Sequence, residues 1–284
     1  MVPCFYDTHA HLDDEQFAPD LPQVIERAQA AGITKINCIG TDLASSTRAI
    51  EIAEAYPDVF AVVGWHPSYA TDAPEDLRPG LLDLARHPKV VGLGETGLDY
   101  YRLPSRKKRT PSSPQPAPPE EERALNLEDA RHKAKQADLF RQHLEVAAQT
   151  GLCVVIHERE SMADLITQLE PYSSKVRGVF HCFAGDATAM QRVLAMGSIV
   201  SFTGILSFKS GQNVRDTFTA TPVGKLMLET DSPYLAPPPY RGKRCEPAYV
   251  KEIAEAAARI KGCTVEELSE ATNETARQFF RRRD

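Results

Sequence analysis

Short apolar runs rich in β-branched residues alternate with segments of helical periodicity along the chain, and this alternation constrains the fold more than any other feature. It is the signature of a parallel sheet assembled from βα units. Eight runs read as strands: Cys4–His9, Lys35–Gly40, Phe60–Trp65, Val90–Glu95, Cys153–His157, Val179–His181, Ile199–Phe202 and Leu226–Asp231. Between them lie the helical segments Leu21–Ala31, Ser45–Tyr56, Leu77–His87, Gln136–Thr150, Ser161–Leu169, Ala187–Met196 and Gly211–Thr219, and Pro247–Lys261 follows the eighth. Eight βα repeats in 284 residues predict a closed TIM-type (β/α)8 barrel forming one domain over residues 1–284. An open doubly wound sheet is the alternative, but it needs a topological switch point, and the order of elements shows none.

One stretch breaks the rhythm. From Arg102 to about Arg131 come Arg106-Lys107-Lys108-Arg109, then Pro111, Pro114, Pro116, Pro118 and Pro119, then an acidic run. Proline at that density predicts a long mobile loop after strand four. It reads as a solvated insertion or as a basic arm that touches phosphates near the catalytic face. Towards the C-terminus, Thr264-Val265-Glu266-Glu267 has the spacing of a capping box, and Arg281-Arg282-Arg283 would complement the dipole of the helix it starts.

The polar residues that close the strands point to chemistry. His9, Glu95, His157, His181 and Asp231 stand at the C-terminal ends of strands one, four, five, six and eight, where barrel enzymes place their active sites. His9 and His11 are two residues apart, so both imidazoles can face one ion. His157 and His181 are each the first polar residue after a buried run; one such histidine is ordinarily a satisfied core residue, but two on adjacent strands suit a metal site. Glu95 can bridge two cations, or be satisfied by backbone donors in a turn. Its segment Gly92-Leu93-Gly94-Glu95-Thr96-Gly97 matches the dinucleotide-binding fingerprint, yet no helix starts on those glycines to receive a pyrophosphate.

Four histidines and two carboxylates exceed the needs of one zinc ion, so two divalent metal ions are expected. One would take His9, His11 and Asp231, the other His157 and His181, with Glu95 between them; Asp231 would also accept the proton of the attacking water. Mixed nitrogen and oxygen ligation admits Mg, Mn, Zn or similar ions. No G-x-S-x-G elbow or Walker A sequence competes.

Composition excludes rather than selects. A net charge of −6 argues against wholesale coating of nucleic acid or anionic membrane. Six cysteines without C-x-x-C spacing read as reduced thiols, and no run approaches the roughly 20 apolar residues of a membrane span. A cytoplasmic monomer with no membrane partner is expected.

Thr8-His9-Ala10-His11, Gly64-Trp65-His66-Pro67, Gly94-Glu95-Thr96-Gly97-Leu98-Asp99-Tyr100, Ile156-His157-Glu158-Arg159, His181-Cys182-Phe183 and Glu229-Thr230-Asp231-Ser232-Pro233-Tyr234-Leu235 together resemble the TatD family of metal-dependent deoxyribonucleases. The resemblance spans nearly the whole chain. It implies an amidohydrolase-type barrel, DNase or 3′-to-5′ exonuclease activity, DNA as substrate at single strands or 3′ ends, and metal ligands at His9, His11, Glu95, His157, His181 and Asp231. Two departures stand out: the family passes more directly from its tyrosine segment to the Q-x-x-x-F helix, here Gln136 to Phe140, and Cys245 in Arg241-Gly242-Lys243-Arg244-Cys245-Glu246-Pro247 replaces the family's usual asparagine.

Roles around the centre are less defined. His66 could donate to a phosphate or stabilise its turn. Arg159 could reach a phosphate or pair with a helix carboxylate, and Arg241 is a further candidate substrate contact. Trp65 could stack a base or pack in the core. Cys182 is expected to point away from the site by strand alternation. His87, His132 and His143 receive no role. Phosphodiester hydrolysis of DNA is the leading expectation, against a small-molecule amidohydrolase or phosphoesterase and a non-catalytic scaffold with a vestigial metal site.

Overall fold

A computed structural model of the chain describes residues 3–108 and 119–280. Eight strands, β1 (Phe5–Ala10), β2 (Ile33–Ile39), β3 (Val59–Val63), β4 (Val90–Asp99), β5 (Cys153–Arg159), β6 (Gly178–Phe180), β7 (Ile199–Phe202) and β8 (Leu226–Leu228), form one parallel sheet in sequential order. The segment after β8 brings the ends together: Ala10 bridges Ser232, the His11 amide donates to Ser232 O at 2.8 Å, and the Asp231 amide donates to His9 O at 2.9 Å. Asp7 makes that seam polar and fully buried, accepting from the Thr230 amide at 2.9 Å and the Thr230 hydroxyl at 2.6 Å. Burial, partly offset by these donors, pushes the Asp7 carboxyl up to about 8.

Outside the sheet pack α1 (Leu21–Ala30), α2 (Leu43–Ala55), α3 (Arg78–Leu84), α4 (Pro104–Lys108), α5 (Pro119–Thr150), α6 (Met162–Leu169), α7 (Ala187–Ala195), α8 (Gln212–Ala220), α9 (Val250–Lys261) and α10 (Val265–Phe279). Alternation along β5 sorts the two cores. Val154 and Ile156 join the apolar layer under the helices, whereas Cys153 and Val155 join a second cluster to which every strand contributes. That second cluster fills the barrel and includes Phe279 and Phe280, so the C-terminal helix plugs one end and leaves the other for chemistry. The capping box of α10 is present: Glu267 N donates to Thr264 Oγ1 at 3.2 Å and Thr264 N to Glu267 Oε2 at 2.9 Å.

The expected loop after strand four is corrected over the described residues at its two ends. The stretch contains α4, and α5 reaches back to Pro119, 17 residues before Gln136. Both helices begin on a proline, where the missing N–H is one that a helix start leaves unpaired anyway, and Glu120 and Glu122 lie in the first turn of α5, where the helix dipole favours acids. Asp129 of α5 accepts from the Ser105 amide of α4 at 3.0 Å and ties the two together. Arg109, Pro111, Pro114, Pro116 and Pro118, and the arginines 281–283, lie outside the described residues.

His143 on α5, given no role from sequence, holds the strand ends. Its Nδ1–H donates to Leu139 O at 2.7 Å, so Nε2 carries the lone pair and accepts from the Trp65 amide at 3.0 Å. Burial pushes this imidazole down to about 4. Its folded pKa therefore lies below the unfolded value of roughly 6.5. Above pH 6.5 both states are neutral and nothing is lost; as pH falls from 6.5 to 4 only the unfolded chain gains the proton, at a cost to stability of roughly 3 kcal/mol in total. Urea denaturation of wild type and His143→Gln at pH 7 and pH 4.5 should show the variant losing less stability between the two, by about one proton's worth of slope. Equal losses would remove His143 from the pH dependence.

Candidate metal centre

Bulges at two strands aim the central residues. Between the paired positions Asp7–Ile36 and Ala10–Cys38, β1 has one residue more than β2, and between Leu93–Val154 and Thr96–Ile156, β4 has one more than β5. The extra residues fall at Thr8-His9 and Gly94-Glu95, turning side chains that simple alternation would place elsewhere. Gly94 makes this possible, with φ +124° and a hypothetical Cβ only 2.4 Å from Val155 O. Asp231 lies three residues beyond β8 rather than at its end, in the left-handed region at φ 57°, which aspartate tolerates better than most residues. His181 is one residue past β6, and Cys182 has φ 47°, so strand alternation does not govern its direction.

All six expected residues converge. His9 Nε2 and His11 Nε2 are 3.3 Å apart, and they lie 3.4 and 3.6 Å from Glu95 Oε2 and 3.6 and 3.5 Å from Asp231 Oδ1. On the other side, Glu95 Oε1 is 2.7 Å from both His157 Nδ1 and His181 Nε2, which are 3.3 Å from each other. One carboxylate thus stands between two sets of imidazoles. Tetrahedral ligation at about 2.1 Å separates ligand atoms by about 3.4 Å, so the first set has the spacing of a shared ion. Ring nitrogens facing ring nitrogens at 3.3 Å lack a full complement of protons to bond one another, and a cation satisfies them all. The donor set fits divalent metal.

The far sides of three rings have partners. His11 Nδ1 donates to Ile39 O at 3.0 Å, leaving Nε2 free for the centre. Asp99, fully buried, lies 3.3 Å from His157 Nε2, and Glu229 lies 3.6 Å from His181 Nδ1. Glu229 is itself fixed by the Cys182 amide at 2.6 Å and the Ser201 hydroxyl at 2.7 Å, and Gln136 holds the Asp99 backbone through both of its amide atoms. Carboxylates behind metal-binding histidines orient the ring and raise its basicity. Both were missed in the sequence, where Gly94–Tyr100 and Glu229–Leu235 contained them without marking their task; a carboxylate in a buried run was the available signal. Asp99→Asn should weaken metal affinity about 10- to 100-fold with the fold intact. Metal titration of the stripped variant against wild type measures this, and unchanged affinity would make Asp99 a packing residue only.

Charge in the cluster is shared. Burial opposes ionisation of Glu95, but His181, His66 and His157 outweigh it and hold the carboxylate well below its ordinary range. Burial likewise pulls His11 down, yet Asp231 and Glu95 push it up to about 9, and Glu95 and Glu229 raise His181 well above its usual value against the same burial. Burial and His181 depress His9. Protons thus occupy positions that a cation competes for.

His66 divides its two suggested roles between its two nitrogens. Nδ1 accepts from the Ser68 amide at 3.0 Å and so fixes the turn after β3. The neutral ring must then carry its proton on Nε2, 3.2 Å from Glu95 Oε1, and burial keeps it neutral by pushing its pKa down to about 4. The same nitrogen lies 3.3 Å from His157 Nδ1, and His66, Glu95 and His157 together have the spacing of a cation site. Arg159 and Arg241 do not line the cavity over the cluster: Arg159 stacks 3.8 Å from the centroid of the Tyr101 ring and Arg241 3.7 Å from that of Phe208. Arg102 does line the cavity, with its guanidinium 3.2 Å from Ser68 Oγ and 3.5 Å from Asp99 Oδ2. Trp65 is core, its indole donating to Tyr69 O at 2.8 Å, and Cys245 is fully buried, its amide donating to Pro233 O at 2.9 Å.

The cavity over the cluster measures about 490 Å³ and opens at the C-terminal ends of the strands. Fold and site define a (β/α)8 barrel with a histidine- and carboxylate-lined centre, the build of a metal-assisted hydrolase. The sequence model of the family described as TatD related DNase matches residues 6–281. The chain belongs to this family and is a metal-dependent hydrolase. It is 36% identical over 277 residues to the "uncharacterized metal-dependent hydrolase YabD" of Bacillus subtilis, covering 97% of this chain and 98% of the relative. It is 36% identical over 282 residues to the "3′-5′ ssDNA/RNA exonuclease TatD" of Edwardsiella piscicida, with 97% and 98% covered. The fold is that of YJJV, a TatD homologue from Escherichia coli, with a TM-score of 0.84 at 23% identity over 99% of each chain.

Proposed function

We propose that the protein is a nuclease that removes nucleotides from the 3′ ends of single-stranded DNA, working with two divalent cations. The observation that carries this reading is Glu95, whose two oxygens face two separate imidazole sets beneath an open cavity. His9, His11 and Asp231 would hold one ion and His157 and His181 the other, with Glu95 shared. When bound, such ions polarise a phosphoryl oxygen and make water acidic enough to attack near neutral pH.

The chain's own residues complete the site. Asp231 is the more accessible carboxylate, 15% exposed against 4% for Glu95, and it would take the proton of the attacking water on the oxygen turned away from His9 and His11. His66 would donate its Nε2–H to a phosphate oxygen, and Arg102 would hold a neighbouring phosphate. The name of the Edwardsiella relative supports the substrate and the polarity. All six cysteines are free, and no helix among the described residues is long and apolar enough to cross a membrane. We propose that the enzyme works as a single-domain cytoplasmic monomer.

Chelator-stripped protein titrated with Mg, Mn or Zn and given 3′- or 5′-labelled single-stranded and duplex DNA tests the proposal, with His157→Ala as control. Metal-dependent shortening from the 3′ end, lost in the variant, is the expected result. No cleavage with any ion, alongside turnover of a small ester or amide, would replace the nuclease with a small-molecule hydrolase.

A further inference from the structure

Four large apolar or aromatic side chains stand exposed among the described residues, Tyr69, Tyr101, Leu127 and Tyr234, and two of them are on the rim of the cavity. Tyr69 is 48% exposed and Tyr234 52%. The two are mounted alike. The Tyr69 amide donates to His66 O at 3.0 Å and the Tyr234 amide to Asp231 O at 2.9 Å, so each ring is carried on a closed turn three residues from a residue of the centre. Their ring planes are steeply inclined to the neighbouring imidazoles, Tyr69 at 60° to His66 with centroids 6.0 Å apart and Tyr234 at 65° to His11 with centroids 6.2 Å apart. Neither histidine stacks face to face on its tyrosine, and about half of each tyrosine stays open to solvent. Tyr101 differs, because the Arg159 guanidinium already lies 3.8 Å from its centroid.

Exposed aromatic faces at the mouth of a site are a cost unless something covers them. Resting on the nuclease reading above, we propose that Tyr69 and Tyr234 are stacking platforms for unpaired nucleobases on either side of the phosphate being cleaved. Charge along the rim favours that assignment. Asp13 and Asp14 line the cavity beside Tyr234, whose hydroxyl lies 3.4 Å from Asp14 Oδ2; Asp13 is paired with Arg48 at 3.5 Å, so Asp14 is the carboxylate that repels phosphate from that bank, and Arg102 draws it to the bank of Tyr69. A neutral base is then the part of a nucleotide that the Tyr234 bank accepts. Every base has a π face, so the clamp tolerates sequence, and bases stacked in a duplex are not free to enter it.

The test compares a single-stranded oligonucleotide with one whose three 3′-terminal residues are abasic, using the metal-loaded enzyme. Wild type is expected to favour the base-bearing end by about tenfold or more in kcat/KM, mainly through KM, since each stacked base is commonly worth that much. Tyr69→Leu and Tyr234→Leu should each bring the ratio towards one, and Tyr69→Phe and Tyr234→Phe should preserve it, because the π face survives without the hydroxyl. Equal cleavage of the two substrates by wild type overturns the clamp and leaves the nuclease standing. No cleavage of either overturns the nuclease reading and the clamp with it. The wild-type comparison needs no variant to fold.

Discussion

Glu95→Gln should lower kcat/KM by about a thousandfold or more, equivalent to about 4 kcal/mol of transition-state stabilisation, and should reduce the metal held after dialysis to one ion or none. The carboxylate uses both oxygens. Oε2 faces His9 and His11, and Oε1 faces His157, His181 and His66. Glutamine keeps the volume but has one oxygen, and whichever way the amide turns, two hydrogens point at imidazole nitrogens on one side. The charge that raises His11 and His181 is removed as well, so the rings lose the partner around which they are arranged. Metal analysis by mass spectrometry and steady-state rates on single-stranded DNA measure both effects. A variant that keeps two ions and more than about a tenth of the rate would show that Glu95 does not bridge.

For Asp231→Asn the expectation is a different pattern, with kcat falling about 10²- to 10⁴-fold while KM changes little. The backbone there is left-handed at φ 57°, and asparagine adopts that region as readily as aspartate. The substitution therefore removes a proton acceptor without disturbing the turn that carries it. Its oxygen can still face His9 and His11, as Asp231 Oδ1 does at 3.6 and 3.5 Å. Proportional losses in kcat and in metal content would make Asp231 a ligand alone. Near-normal turnover would remove it from the mechanism.

The barrel was legible because each strand run carries its own signal. β-branched residues and the interleaved helical periodicity read locally, and the order of eight repeats allows little but sequential parallel pairing. The six central residues were legible for a related reason: a polar side chain that ends an apolar run is conspicuous, five of them stand in that position, and His11 follows His9 by two. The two ends of the 102–131 stretch misled because proline was weighed by density rather than position. Pro104 and Pro119 start helices, and a helix start has no use for the N–H that proline lacks.

What lies behind and around the centre was not legible. Asp99 and Glu229 reach His157 and His181 through space from β4 and from beyond β8, and nothing in their own segments distinguishes a ring-anchoring carboxylate from any other buried acid. Arg159, two residues after a central histidine, reads as a phosphate contact in sequence; in the structure it stacks on Tyr101, and Arg102 is the arginine that lines the cavity. His66 was undecided until the Ser68 amide fixed which nitrogen bears the proton.

The sequence by itself determined the repeat, the barrel and the identity of the central side chains, because periodicity and strand-end position are local properties of the chain. The tertiary structure alone decided their aim: the extra residues in β1 and β4, the left-handed turn at Asp231, and the partners behind His11, His157 and His181. Those depend on which backbone groups of distant segments meet, and alternation within a segment carries no record of its neighbour's register.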